Sequence, residues 1–240
     1  MNQVVSREEW RAARLALLER EKALTRERDA VAEARAALPW VRLEKEYRFA
    51  TERGERTLGE LFGGRSQLVV QHFMFGPDWE EGCVGCSFLS DNVDATLPHL
   101  AAKGVAFVAV SRAPLERLLG FRARMGWRFD WVSSLHSDFN FDFGVSFRPE
   151  DVAAGRAEYN YRPLAGRGGE MPGHSSFWRD DTGAVFHTYS TFARGDETMC
   201  NTYNVLDIAP LGRNERPPET MDWVRHHDRY EDAGKGGCCG

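Results

Sequence analysis

Hydrophobic positions along the chain fall into stretches of different period. Over residues 6–38, Trp10, Ala13, Leu17, Leu24, Val31, Ala34 and Leu38 recur at three-, four- and seven-residue steps. That spacing predicts one long amphipathic helix with a single apolar stripe. Ser6 followed by Glu9 is a capping-box signature, and Pro39 ends the pattern. At 1.5 Å per residue such a helix spans about 50 Å. It either lies across its own domain or pairs with a second copy in a homodimer, and both readings stay open.

From Val41 the period shortens. Tyr47–Ala50 reads as a short strand and Thr57–Phe62 as a helical turn. Gln67–Phe75 and Val105–Ser111 are β-branched and aromatic runs of strand length, as expected of buried central strands. Between them Phe88–Leu100 carries helical spacing, with Pro98 set to kink or shorten it. Pro114–Met125 is a second amphipathic helix and Trp131–Ser134 a third strand. Residues 148–170 are rich in Arg, Gly and Ala and read as an insertion or mobile loop. Ser175–Trp178 and Ala184–Ser190 flank Asp180-Asp-Thr-Gly183 and form a hairpin. Met221–Tyr230 is the last helix expected, before a Gly-rich tail from Ala233. Strand–helix–strand crossovers imply parallel pairing and the hairpin adds antiparallel strands. The result is a mixed α/β sheet with helices on both faces. The organisation predicted is a helix over 1–40, a domain over 41–232 and a tail over 233–240.

Composition narrows the partners. Among 240 residues, 31 Lys+Arg against 36 Asp+Glu leave a formal charge of −5, which argues against a nucleic-acid partner held through phosphates. No apolar run reaches the roughly 18 residues of a membrane span, and the charged first twenty residues lack a signal-peptide core. A cytoplasmic protein is expected, and in a reducing compartment five cysteines are not a disulfide framework.

The chemistry concentrates at Cys83-Val-Gly-Cys86, between a predicted strand and a predicted helix. A thiol at a helix N-terminus meets unpaired N–H groups and the positive end of the helix dipole, both of which stabilise thiolate. A second thiol one turn on can resolve the mixed disulfide. Half of a zinc site is the competing reading, but no second pair with ribbon spacing exists.

Leu68-Val-Val-Gln-His-Phe-Met-Phe-Gly-Pro-Asp-Trp79 followed by Gly82-Cys-Val-Gly-Cys86 resembles the strand–loop–cysteine segment of thioredoxin-like proteins, peroxiredoxins included. Val-Ser at 110–111, Phe-Gly-Val at 143–145 and Phe-Trp-Arg-Asp-Asp-Thr-Gly at 177–183 follow in the peroxiredoxin order. More closely, the chain resembles a bacterial thioredoxin-like family described as a domain of unknown function. Val5–Trp10, Leu38–Trp40, His72–Trp79, Ser137–Phe147 and Phe186–Ser190 carry that match. The resemblance implies a thioredoxin-like fold and no cofactor. It also implies a substrate-side loop through Met171-Pro172, with Trp79 beside the cysteines. The substrate would be a protein or small-molecule disulfide or thiol, and the reductant is not named.

The motif departs from both relatives. Thioredoxins place a proline between their cysteines, whereas Val84 and Gly85 stand here. A peroxidase would attack with Cys86, since Cys83 takes the place of the peroxiredoxin Thr; an exchange enzyme would attack with Cys83. Arg112 and Arg124 are candidates for a peroxide-binding Arg, with solvated surface charge as the plainer reading. A third possibility is a soft-metal or partner-binding protein that kept the fold. His72 either tunes a thiolate or packs in the core. His187 and Tyr189 share a strand face by alternation. Asp138, Asn140 and Asp142 alternate with Phe and form the polar edge of a strand or loop, able to take a cation or polar substrate. Cys200 reads as a small core residue. Cys238 and Cys239 are accessory thiols that could shuttle electrons or hold a soft metal.

Overall fold

The computed structural model describes residues 3–230 other than 167, 217 and 219, and the chain divides into two units, 1–40 and 41–240. The first unit is the helix α1, Arg7–Ala36. Its capping box forms as read: Glu9 N–H donates to Ser6 Oγ at 3.2 Å, and Ser6 N–H donates to the Glu9 carboxylate at 2.9 Å. None of its residues is buried.

The second unit is built on one eight-stranded sheet. Its strands are β1 (Val41–Arg42), β2 (Arg48–Thr51), β3 (Gly54–Thr57), β4 (Gln67–His72), β5 (Val105–Ser111) and β6 (Asp130–Ser133), with two more from the C-terminal hairpin. A small separate hairpin pairs β7 (Glu158–Tyr159) with β8 (Arg162–Pro163), and the C-terminal hairpin is β9 (Gly173–Arg179) with β10 (Val185–Phe192). Across the sheet the order is β1-β10-β9-β4-β5-β6-β2-β3. The β4–β5 and β5–β6 pairs are parallel, and β9 joins β4 antiparallel. The strand–helix–parallel strand unit followed by an antiparallel hairpin, in the order β5-β4-β9-β10, is the thioredoxin-like arrangement.

The helices between strands are α2 (Val84–Asp94), α3 (Leu97–Ala102) and α4 (Leu115–Met125). After them come three short ones, α5 (Phe139–Asp142), α6 (Pro149–Ala153) and α7 (Asn201–Ile208). Pro98 divides the expected 88–100 helix, sitting in the first turn of α3, where its missing N–H is harmless. Phe88, Leu89, Val93, Leu118, Phe121 and Tyr203 of α2, α4 and α7 pack on one sheet face with Phe73, Phe107 and Trp131. On the other face Phe139 and Phe143 join Leu68, Val70, Val108 and Phe177, and a 3-10 turn at Glu60–Phe62 supplies Phe62.

Four expectations are corrected. Residues 139–142 are helical, not a strand edge, because Phe139 and Phe143, four apart, then face one core with ring centroids 4.5 Å apart. The 148–170 segment carries α6 and the β7–β8 hairpin. The final 221–230 segment is not an α-helix: Met221 takes a positive φ of 65°, and only a 3-10 turn, His227–Arg229, follows. There Trp223 donates to Glu215 and Val224 and His226 are buried, three inward contacts at a spacing that does not suit one helical face. Lastly, a bulge between His187 and Tyr189 sets His187 opposite Phe177 but Tyr189 opposite Ser176, which puts the two on different faces.

Candidate functional site

The loop after β4 returns beneath the strand it leaves: Cys83 N–H donates to the Met74 carbonyl at 3.0 Å. Gly82 makes the close approach possible, since a Cβ there would stand 2.7 Å from Phe73 Cε1 and 3.3 Å from Phe121 Cε1. Cys83 is the extended N-cap of α2 (φ −56°, ψ 132°), and its carbonyl accepts the Ser87 N–H at 3.0 Å. Cys86 lies one turn in and is buried. Gln71 Nε2 donates to the Cys86 carbonyl at 3.2 Å, and Ser90 Oγ holds Gln71 at 2.9 Å. Both thiols are free.

The pair is electrically asymmetric. A hydrogen bond from the Cys86 thiol, helped by the Cys86 and Gly85 N–H groups, lowers the Cys83 thiol to about 6 despite burial. The Cys86 thiol is pushed well up because it gives its hydrogen bond to Cys83, and burial and the Cys83 charge add to this. The Met74 N–H, 3.4 Å from Cys86 Sγ, opposes the rise weakly. The lowered thiol is thus the one at the helix N-cap, and the raised one is buried a turn behind it.

Both cysteines line a cavity of about 330 Å³. One wall is Pro172 and His174, where β9 begins; the other is the chain after β10, including Asp196, Cys200, Tyr203, Glu215 and Met221. Met221 lies over the dithiol turn, its methyl 3.5 Å from where a Cβ on Gly85 would be. Glu215 organises this wall, accepting from Trp223 Nε1 at 2.6 Å, Tyr203 Oη at 3.0 Å and Met221 N–H at 3.1 Å. Burial pushes its carboxyl up, yet those three donors hold it below the usual range. His174 and Asp196 are 4% and 6% exposed, and their Nδ1 and Oδ1 atoms stand 3.2 Å apart. The contact is not aligned as a hydrogen bond: both ring nitrogens of His174 and Oδ1 of Asp196 have no hydrogen-bond partner among the described residues.

The structure gathers some sequence-predicted residues and scatters others. Cys83, Cys86 and Pro172 share the cavity, and Cys200 lines it while also packing in the core. Trp79 does not line it; its indole folds back over Gly76. Cys238 and Cys239 lie outside the described residues. His72 lines the cavity too, but its ring is turned to the opposite sheet face, with Nε2 2.7 Å from Ser175 Oγ and the ring against Phe139 and Phe143. Burial, with His174 and His187 nearby, lowers it to about 3, so its ring stays neutral. Neither Arg candidate lines the cavity, and neither is a loose surface charge. Arg112 pairs with the buried Glu170 at 2.9 Å, and Arg124 pairs with Asp228 and Glu81, each at 2.7 Å. The Asp138 and Asp142 carboxylates already hold a cation, the Lys45 ammonium, at 2.9 and 2.7 Å. Among the described residues no group of three or more His, Cys, Asp or Glu is arranged to hold a metal ion.

Sequence reading missed His174 and Asp196. The only trace is a polar run, Gly173-His-Ser-Ser176, opening a strand that pairs with the centre of the sheet.

A dithiol at the N-cap of the helix after the first core strand, with a proline loop opening the third, defines a thioredoxin-like protein. Over residues 1–230 the chain matches the family described as bacterial protein of unknown function (DUF899), and it belongs to that family. No curated protein matches it. Among solved structures it is similar to the Xanthomonas campestris bacterioferritin comigratory protein studied for alkyl peroxide reduction. The two are 15% identical at a TM-score of 0.46, over 65% of this chain and 86% of that one. It is also similar to a putative thiol:disulfide interchange protein DsbE from Chlorobium tepidum. Here identity is 15% and the TM-score 0.41, over 69% of this chain and 95% of that one. Likeness at this level says nothing about the reaction.

Proposed function

We propose that the protein is a thiol–disulfide oxidoreductase in which Cys83 attacks and Cys86 resolves. The observation that carries this reading is the asymmetry of the pair: a lowered thiol at the N-cap facing the cavity, and a raised, buried thiol one turn behind it. In the forward half-reaction the Cys83 thiolate attacks one sulfur of a disulfide R–S–S–R′. A Cys83–S–S–R bond forms, and R′–S⁻ leaves. Cys86 then gives up its proton, which R′–S⁻ can take, and attacks the Cys83 sulfur to release R–S⁻. Two electrons pass from the protein dithiol to the substrate, and a second dithiol restores the protein.

The same asymmetry weighs against attack by Cys86, as a peroxidase reading would require, because its thiol is buried and raised where the Cys83 thiol is lowered. The test is alkylation by iodoacetamide across pH, read by peptide mass spectrometry. Cys83 should label with a midpoint near pH 6, in line with its lowered thiol, while Cys86 in the folded protein stays slow up to about pH 9. Cys83→Ser should abolish dithiothreitol-driven reduction of 2-hydroxyethyl disulfide. Faster labelling of Cys86, or full activity in Cys83→Ser, would sink the proposal.

A further inference from the structure

We infer that α1 is a dimerisation helix whose partner is the α1 of a second copy of this chain, lying antiparallel to it through the face that carries Arg20 and Glu27. Trp10, Leu17, Leu24 and Val31 recur along α1 at seven-residue steps and are between 38% and 60% exposed. Ala16, Ala23 and Ala30 repeat at the same step, each one position before a member of the first row. One residue turns the helix by about 100°, so the two rows bound an apolar face of that width. A helix draws most of its stability from the packing of such a face rather than from propensity.

Between the two rows run Ala13, Arg20, Glu27 and Ala34, the centre line of the face. The two charges on that line stand among apolar neighbours. Three and four residues from Arg20 are Ala16, Leu17, Ala23 and Leu24; around Glu27 they are Ala23, Leu24, Ala30 and Val31. Neither charge therefore meets an opposite one at the spacing where side chains of one helix pair. Other residues of α1 do pair in that helix, off the centre line: Arg14 with Glu21 at 2.8 Å and Lys22 with Glu19 at 3.0 Å.

Two lone charges of opposite sign on one apolar face are complementary to themselves in one orientation. A two-fold interface sets residue i against j and j against i. With the helices antiparallel and the two-fold axis between Ala23 and Leu24, Arg20 meets Glu27 of the second copy, and Glu27 meets Arg20 of the second copy. The same operation sets Ala13 against Ala34 of the second copy on the centre line. On one flank Leu24 meets Leu24 of the second copy, and Leu17 meets Val31 of the second copy. On the other flank Ala16 meets Ala30 of the second copy, small side chains that let the helices approach. A parallel, in-register pair would instead oppose Arg20 to Arg20 and Glu27 to Glu27. A polar position inside an apolar seam fixes orientation and oligomer state in this way, at a cost in stability. Cover by the chain's own domain would need no such symmetry.

The experiment is sedimentation equilibrium of the full chain in dithiothreitol, which keeps disulfides between copies from forming. At micromolar concentration wild type should sediment as a dimer, at twice the 27.2 kDa of one chain. Arg20→Glu and Glu27→Arg exchange one good helix former for another. Each turns both attractive crossings into like-charge ones and should weaken dimerisation at least about tenfold. An equimolar mixture of the two variants should recover the wild-type affinity, because each chain then meets the charges it lacks. The double variant Arg20→Glu/Glu27→Arg should recover it too. Recovery on mixing separates a lost contact from a chain that fails to fold, since two misfolded chains do not repair each other. A wild type that stays monomeric up to about 100 μM would overturn the proposal and leave α1 to its own domain. A dimer indifferent to both single reversals would place the interface elsewhere. A double variant as weak as the single ones would rule out the antiparallel pairing.

Discussion

A single side-chain deletion, the hydrogen at Gly82 Cα, shows how tightly the dithiol loop is set. Gly82→Ala would press a methyl into Phe73 and Phe121, aromatic neighbours fixed by Trp127 and Trp131. Overpacking of this kind destabilises by about 1–3 kcal/mol, which urea unfolding would register. The lowered Cys83 thiol adds a pH dependence whose sign can be worked out. Its folded value, about 6, lies below the ordinary 9.0, so the folded state favours the thiolate. The stabilisation is fully present above the unfolded value and is lost as pH falls through the folded one. Reduced protein should therefore gain stability from pH 6 toward pH 9, on the order of 2–4 kcal/mol at most. The raised Cys86 thiol acts oppositely above about pH 9, where only the unfolded chain gives up that proton. Unfolding at pH 6, 7 and 8 in wild type and Cys83→Ser measures this directly: a rise equal in both would remove Cys83 as its source.

At the scale of elements, what the sequence made legible depended on regular spacing. β4, β5, α4 and the β9–β10 hairpin were readable because burial enforces a period of two or 3.6 and Gly or Pro marks their ends. α5 was misread because Phe at every second position fits a strand, while the fold uses Phe139 and Phe143 inward and sends Phe141 between the Arg112 and Arg148 guanidiniums, each 4.5 Å away. The cysteine motif was legible for a similar local reason. The cavity was not, since Cys86, His174 and Asp196, far apart in the chain, come to line it only through the tertiary fold and carry no spacing signal. Its wall depends on one carboxylate joining α7 to the chain at 221–223. Removing an acceptor that serves buried donors costs about 1–3 kcal/mol. Glu215→Ala should thus speed hydrogen exchange in 201–208 and 221–224 and raise Cys86 alkylation several-fold. Glu215→Gln, keeping a carbonyl for Trp223, should fall between. Unchanged exchange in Glu215→Ala would mean that apolar packing, not this carboxylate, holds the wall.

For the molecule as a whole, the last described residues return to the first elements of the site and grip it from both sides. His226 is buried with Nε2 3.0 Å from the Gly82 carbonyl, and its ring meets Phe121 edge-on at 5.2 Å. Arg229 donates to Glu81 at 2.9 Å, and Arg124 ties Asp228 to the same cluster at 2.7 Å. On the far side of the dithiol, His227 Nδ1 lies 2.7 Å from Asp91 of α2, which also accepts from Trp127 Nε1 at 2.7 Å. The ion pairs are exposed enough for salt to weaken them. The His226 contact is buried, so it carries the attachment. Two truncations separate this role from that of the tail cysteines. A chain ending at Tyr230 keeps every contact named and loses Cys238 and Cys239. It should match the full chain in melting temperature and in dithiothreitol-driven reduction of 2-hydroxyethyl disulfide. A chain ending at Arg225 should melt several degrees lower, because it leaves the Gly82 carbonyl without its donor and strips Phe121 of cover. Its Cys83 alkylation midpoint should also move up as the dithiol turn loosens. Molar sodium chloride should barely change the full chain's midpoint, whereas a large salt effect would assign the attachment to the ion pairs. If the Tyr230 chain alone loses turnover, the residues beyond it take part in the reaction.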